Sequence, residues 1–381
     1  MDAFTYYNPT RIEFGREKEN NIGSMIAEQG ITRLLLVYGT GSIKKNGLYE
    51  RIISSLKNAG ITYEELDGVV SNPLLSRVHD GIDRVKSHDL QAVLGVGGGS
   101  VVDSAKAIAA GALYEGDVWD FFIQKASITE ALPVYAVMTL AATASEMNGN
   151  SVVMNDATKQ KYSISSVLVN PKISVINPEL MMSVTPEYLA YSAADIIAHT
   201  IEVYFTATVH PHFQSRLVES IIKTVIETTE ILLKDPLNYD ARAEFAWAST
   251  QALNGLTNSG TGGGNFPNHM IEHALSALFN IAHGAGLSIV IPAWMKWYQG
   301  QNPAQFERFA KEVFGLGTAN EGIAALESWF SSIGTPVTLA EADIPTERIA
   351  EIADNAHGLA VLWGMGTQYS SQTIATILKN A

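Results

Sequence analysis

His269, His273 and His283 gather three of the chain's nine histidines into one short stretch, Asn268-His-Met-Ile-Glu-His-Ala-Leu-Ser-Ala-Leu-Phe-Asn-Ile-Ala-His283. His269 and His273 stand at i, i+4, so on a helix they share one face. His283 lies fourteen positions beyond His269, which on one straight helix is roughly 21 Å. Two nitrogens bound to one metal at about 2 Å each cannot bridge that distance. If both are ligands, the chain reverses between them, and Asn280, Gly284 and Gly286 suit such a turn, with His283 opening the next helix. Upstream, Asp195 and His199 again stand at i, i+4. One carboxylate and up to four imidazoles suit a borderline divalent cation, zinc or ferrous iron. A helical histidine taken singly is more often structural than ligating; two i, i+4 pairs and a third histidine beside a turn point to a metal.

A second chemistry is written in glycine. Gly97-Gly98-Gly99-Ser100 follows a buried apolar run and precedes a helical pattern. Backbone N–H groups and the helix dipole favour a phosphate there, and Ser100 adds a hydroxyl donor. Asp103 is placed to cap that helix or to meet a ligand hydroxyl. The bland reading is a tight strand-to-helix connection, since this is neither G-x-G-x-x-G nor a P-loop. Gly39-Thr40-Gly41-Ser42 closes the preceding apolar strand and offers no acidic residue to hold a ribose 2′-hydroxyl. Lys44 and Lys45 follow, which favours NADP(H) over NAD(H) unless both lysines are simply solvated. Thr139-Leu140-Ala-Ala-Thr143-Ala-Ser-Glu146 is a small-residue loop able to line a flat ring, and Lys161 reads as part of a polar surface loop.

Those groups need elements to hold them. At 381 residues the chain has room for two domains. Up to about residue 184, short apolar strands (Thr10–Phe14, Arg33–Tyr38, Ile61–Leu66, Gln91–Val96, Val134–Leu140) alternate with helical patterns such as Leu48–Ala59, Leu75–Ser87 and Val102–Ala112. That alternation predicts an α/β Rossmann-like domain with a parallel sheet over 1–184. From Glu187 the patterns are long and helical (Glu187–Thr206, Pro211–Lys234, Tyr239–Thr257, Pro267–Asn280, Gly284–Tyr298), with four more starting near Pro303, Ala319, Thr346 and Thr367. They predict an all-α helical domain over 185–381.

Composition narrows the function. The net charge of −14 argues against nucleic acid or an anionic membrane as partner. The absence of cysteine excludes disulfides and a thiolate nucleophile or ligand. The most apolar windows, Ala131–Ala144 and Gly286–Trp297, are short and hold Pro133 and Pro292, so neither spans a bilayer. No basic n-region or apolar h-region follows Met1, and a cytoplasmic protein is expected.

Taken together, Gly97-Gly-Gly-Ser-x-x-Asp103-x-Ala-Lys106, the Thr139–Glu146 loop, Asp195-x-x-x-His199-x-x-Glu202, and His269-x-x-x-His273 with His283 resemble the iron-containing (group III) alcohol dehydrogenases. Asn8-Pro-Thr-Arg and Val37-Tyr-Gly-Thr-Gly-Ser-Ile-Lys-Lys-x-Gly47 are similar to its butanol dehydrogenase and NADPH-dependent aldehyde reductase branch. The resemblance spans nearly the whole chain. It implies a dehydroquinate synthase-like architecture, a dinucleotide, one divalent metal and a homodimer. It further implies Asp195, His199, His269 and His283 as ligands, His273 beside the substrate, and Asn72, Thr139, Thr143, Asn148, Asn150 and Lys161 lining the cofactor site. The reaction expected is alcohol–aldehyde interconversion, the metal polarising the substrate oxygen while hydride passes to or from nicotinamide. Three other readings compete. His269-Met-Ile-Glu272-His273 fits H-x-x-E-H, with Glu272 as the base of a metallopeptidase, but leaves the glycine turns unemployed. A polyol dehydrogenase or sugar-phosphate cyclase is opposed by Asp195 as the carboxylate, and a non-catalytic nucleotide-binding protein by the full ligand set.

Overall fold

Eight strands form in the first half of the chain: β1 (Arg11–Phe14), β2 (Arg33–Gly39), β3 (Thr62–Val69), β4 (Ala92–Gly97), β5 (Val134–Met138), β6 (Asn150–Asn155), β7 (Gln160–Ser165) and β8 (Ile173–Ile176). The structure is a computed structural model describing residues 1–381. Six strands pair in parallel in the order β1-β8-β5-β4-β2-β3, and β6 with β7 makes a separate antiparallel hairpin. Helices α1 (Ile22–Ala27), α2 (Ser42–Lys45), α3 (Leu48–Asn58), α4 (Leu75–Ser87), α5 (Gly99–Gly111) and α6 (Trp119–Phe122) connect them. The apolar runs of β2, β4 and β5 are buried along almost their whole length, as parallel strands covered on both faces must be. Leu34, Leu36, Leu94 and Val96, alternate residues of their strands, pack with Ile22 and Ile26 of α1 and Ile52 and Leu56 of α3.

The strand order positions the glycine turns. From β2 the chain steps outward to β3, then returns to the other side of β2 to lay down β4. The order therefore reverses between β2 and β4, and ligands of open α/β sheets bind beyond the carboxyl ends of strands at such a point. Gly39 ends β2 and Gly97 ends β4.

The β6–β7 hairpin was not among the expected strands. It is short, half polar and supported from outside itself: Met154 N donates to Pro73 O (2.8 Å). Lys161 consequently lies in β7 with only 4% of its surface exposed, rather than in a surface loop.

The chain divides into two compact units, Tyr7–Ser183 and a second comprising Val184–Ala381 together with Met1–Tyr6. The first six residues thus join the second unit, where Asp2 N donates to Gly260 O (3.0 Å). This unit contains α7 (Pro186–Thr206), α8 (His212–Lys234), α9 (Tyr239–Ala252), α10 (Pro267–Phe279), α11 (His283–Tyr298), α12 (Pro303–Phe314), α13 (Ala319–Ser332), α14 (Ile349–Leu362) and α15 (Ser371–Leu378), and no strand. Local rules start the helices. Thr185 caps α7 with Pro186 in its first turn, and Thr318 with Glu321 forms a capping box on α13. Helix α9 stops five residues short of the expected Thr257, because the Asn254 side chain accepts from Leu256 N (3.0 Å) and Gly255 turns at φ 89°. No helix is long and apolar enough to cross a membrane.

Candidate active site

Three helices of the second unit deliver one cluster. Asp195 and His199 occupy successive turns of α7, His269 and His273 successive turns of α10, and His283 is the first residue of α11. Asn280, in the left-handed conformation at φ 54°, ends α10 and begins the reversal that returns His283 towards His269. Asn280 alone of the three expected turn residues makes the turn. Gly284 and Gly286 lie inside α11 and are small for another reason: a Cβ at Gly284 would stand 2.0 Å from Tyr191 O, and one at Gly286 2.8 Å from Glu272 Cγ. They let α11 approach α7 and the Glu272 side chain.

The cluster centres on one oxygen. Asp195 Oδ1 has His199 Nε2 at 3.5 Å, His269 Nε2 at 3.6 Å and His283 Nε2 at 3.6 Å. These separations are long for hydrogen bonds. Asp195 Oδ1 and His269 Nε2 are both buried with no hydrogen-bond partner. In a tetrahedral site with bonds of about 2.1 Å, neighbouring ligand atoms lie about 3.4 Å apart. Asp195 Oδ1 stands at about that distance from each of the three nitrogens, and two sets, Asp195 with His199 and His269 and Glu272 with His273 and His283, gather donor atoms closely enough to hold a metal ion.

Two further carboxylates stand behind the imidazoles. Glu202 Oε1 accepts from His269 Nδ1 (2.9 Å) and His269 N (2.9 Å), while its other oxygen takes Asn268 Nδ2 (3.1 Å). Glu272 bonds His283 Nδ1 through one oxygen and Ser276 Oγ through the other. Both glutamates are fully buried. A carboxylate on Nδ1 fixes the tautomer whose Nε2 lone pair is free for a metal. Glu202 was legible only as part of the family-like motif, although its place seven residues after Asp195 puts it on the same stripe of α7. Glu272, the base of the metallopeptidase reading, instead has both oxygens engaged as supports.

The charges agree with a cation site. Burial drives the Asp195 carboxyl upward, yet the imidazoles of His199, His283 and His269 hold it well below the usual carboxylate range. Burial drives His269 down, but the Asp195 and Glu202 carboxylates outweigh it and raise its pKa to about 9. His273 is buried beside this group, its ring 6.4 Å from that of His269, 5.7 Å from His283 and 5.8 Å from the Trp363 indole. Trp363 carried no signal in the sequence.

The first unit assembles the glycine turns. Gly98 is extended and α5 begins at Gly99, three residues before the expected Val102, so its first-turn N–H groups belong to Gly99 and Ser100. Thr139 N donates to Gly97 O (2.9 Å) and brings the following loop alongside. A Cβ at Gly99 would stand 2.4 Å from Thr143 Oγ1, and one at Gly98 3.2 Å from Leu140 Cβ. Asp103 does not cap the helix: its Oδ1 accepts from Ser145 Oγ (2.6 Å) and its Oδ2 from Val152 N (2.9 Å). Asn148 Oδ1 accepts from Asn150 N (2.9 Å), and its Nδ2 donates to Ala144 O (2.8 Å). Asn72 (φ 55°) precedes Pro73, which is bonded to Met154, the register partner of Lys161. Thr40 and Ser42 are exposed beyond β2. Lys44 is not merely solvated, its Nζ lying 4.9 Å from the ring centroids of both Tyr38 and Tyr49.

The chain matches two family descriptions in tandem, "Iron-containing alcohol dehydrogenase" over residues 9–178 and "Fe-containing alcohol dehydrogenase family, C-terminal" over residues 189–381. It is 40% identical to the probable NADH-dependent butanol dehydrogenase 1 of Bacillus subtilis (strain 168), over 100% of this chain and 99% of that one. It is 33% identical to the NADPH-dependent aldehyde reductase YqhD of Escherichia coli (strain K12), over 90% and 89%. The crystal structure of NADH-dependent butanol dehydrogenase A from Thermotoga maritima superposes with a TM-score of 0.97, at 46% identity, over 100% of this chain and 99% of that one. Fold and site define an oxidoreductase of the nicotinamide-dependent alcohol and aldehyde class. The chain belongs to the iron-containing alcohol dehydrogenase family.

The close approach of α11 to α7 generates a stability prediction. Gly284→Ala forces a methyl group against the Tyr191 carbonyl, and overpacking of this kind costs about 1–3 kcal/mol. A urea melt of the variant is expected to show a midpoint lowered accordingly; an unchanged midpoint would mean that α11 yields without cost.

Proposed function

We propose that the chain interconverts an alcohol and its aldehyde, with Asp195, His199, His269 and His283 holding one divalent cation, Fe2+ or Zn2+. The observation that carries this reading is the single buried oxygen, Asp195 Oδ1, with three imidazole nitrogens at 3.5–3.6 Å. When bound, the cation supplies a Lewis acid for the substrate oxygen, and NAD(P) donates or accepts the hydride. Glu202 and Glu272 hold His269 and His283 in the ligating tautomer. Gly97–Ser100 offer backbone donors to the dinucleotide phosphates, and Gly39, Thr40 and Ser42 meet the adenosine ribose. Asn72, Thr139, Leu140, Thr143, Asn150 and Lys161 line the remainder of the cofactor site, with Asp103 and Asn148 bracing it. His273, one turn from His269, moves the alcohol proton outward as hydride leaves the carbon. A homodimer joined through the open edge of β1 completes the proposal, supported by the terminal place of that strand in the sheet. Metal analysis of the purified protein, paired with NADPH and NADH oxidation over a panel of aldehydes, tests the reading as a whole. A protein that turns over aldehydes equally well after complete metal removal would overturn it.

A ligand series separates holding the metal from orienting its holders. His269→Ala is expected to lose metal and turnover together while remaining folded, whereas Glu202→Gln should weaken metal affinity roughly ten- to hundredfold. Competition with a chelator measures both, and full occupancy in His269→Ala would remove it from the ligand set.

For His273→Ala the expectation is intact metal and dinucleotide binding with turnover lowered roughly ten- to a thousandfold, the range open to a proton-transfer group. Metal content and turnover on the same preparation decide it, since loss of metal would make His273 a ligand.

The turn Gly39–Lys45 has no carboxylate, which supports NADPH as the preferred dinucleotide, although relatives named for each cofactor occur. A side chain fits at Gly39, where an added Cβ would meet only Val69 O, at 3.4 Å. Gly39→Asp is expected to move the kcat/KM ratio towards NADH, and a wild-type enzyme already more efficient with NADH would show that another feature sets the preference.

A further inference from the structure

A lysine is sealed inside the glycine-turn unit. Lys106, on α5, has no exposed surface, and its Nζ donates to Ser145 Oγ (2.8 Å), Asn148 Oδ1 (3.1 Å) and Asn150 O (2.7 Å). An ammonium group has three protons, and here each has an acceptor, two on the segment joining β5 to β6 and the third at the first residue of β6. Two of the acceptors pass the restraint on. Ser145 Oγ donates in turn to Asp103 Oδ1 (2.6 Å), and Asn148 Nδ2 donates to the carbonyls of Ala144 (2.8 Å) and Thr143 (3.3 Å). Ala144 is left-handed, at φ 50° and ψ 21°, a conformation that an alanine rarely adopts without being held. That twist is what lays Thr143 over Gly99, where no Cβ would fit.

We propose that Lys106 is a positioning residue of the dinucleotide site: through Asn148 it holds Ala144 left-handed and so seats Thr143 against the Gly97–Ser100 turn. Its protons are all committed to protein acceptors, so it neither touches the ligand nor exchanges a proton with it. Burial lowers its pKa to about 8, while the charges of Asp103 and Glu146 keep it from falling further. The proposal rests on NAD(P) binding at this turn and adds what shapes the turn's partner loop.

The test is dinucleotide affinity measured directly on metal-loaded enzyme, by titration with NADPH and with NADH. Wild type that binds neither would sink the dinucleotide reading itself, before any variant is made. Lys106→Met keeps the buried stem and removes the ammonium. Its dissociation constant is expected to rise roughly ten- to hundredfold, the worth of hydrogen bonds to a charged group, with metal content unchanged and kcat at saturating dinucleotide nearly preserved. Adding Ala144→Gly to that variant makes the left-handed conformation freely available, and most of the lost affinity should return. Wild-type affinity in Lys106→Met, or a loss that Ala144→Gly does not recover, overturns the proposal. Should Lys106→Met fail to fold, Asn148→Asp keeps an acceptor for the lysine but removes the donor to the Ala144 carbonyl. The same loss and the same recovery are then expected, and unchanged affinity counts against the proposal.

Discussion

A carboxylate oxygen out of reach of water, with three imidazole nitrogens turned towards it, sets the terms for the helical unit. Asp195, Glu202 and Glu272 place three acidic side chains there with almost no exposed surface. Removing such charges from water costs several kcal/mol each after relaxation, and neutral imidazoles cannot offset them. On the proposed function, a bound cation is what offsets them. The reversal at Asn280, the bare α11 flank at Gly284 and Gly286, and the anchoring of Glu272 by Ser276 all serve to bring three nitrogens to one point.

The sheet unit solves the opposite problem. Two of its buried charges, Asp103 and Lys106, meet through Ser145 and are satisfied by named partners in the same unit. What it leaves open is backbone, the first-turn N–H groups of α5 beside a loop pressed close enough to exclude a Cβ at Gly99 and to crowd one at Gly98. On the proposed function, one unit offers side-chain ligands for a cation and the other main-chain donors for an anion. A dehydrogenase that must hold both a metal and a phosphate-bearing cofactor needs both kinds of surface.

Much of this was legible because periodicity and punctuation are local. The i, i+4 pairs, the αL-tolerant Asn280 and the strand-to-glycine transitions at Gly39 and Gly97 could each be read within a few residues. What escaped depended on neighbours distant in sequence. Gly284 and Gly286 looked like turn residues, since nothing near them in the chain announces Tyr191 or Glu272. Lys161 looked exposed because a half-polar hairpin has no clear period, and its burial depends on the Pro73 segment. Asp103 looked like a cap or a ligand contact until Ser145 and the Val152 amide took its oxygens. Met1–Tyr6 gave no hint of belonging with residues past 184, because their partner is a glycine-rich loop near Gly260.

The route of the chain between Asp195 and His283 gives the cluster a second character. The two residues are roughly 90 positions apart, with α8, α9, the glycine-rich loop and α10 between them. An ion gripped from both ends of that stretch is a covalent-like staple in a protein that has no cysteine. In the chain-entropy treatment of cross-links, closing a loop of about 90 residues restricts the unfolded state by on the order of 4–5 kcal/mol. In the proposed site such an ion would belong to the fold's topology as well as its reactivity, tethering α8 and α9, which carry none of its ligands.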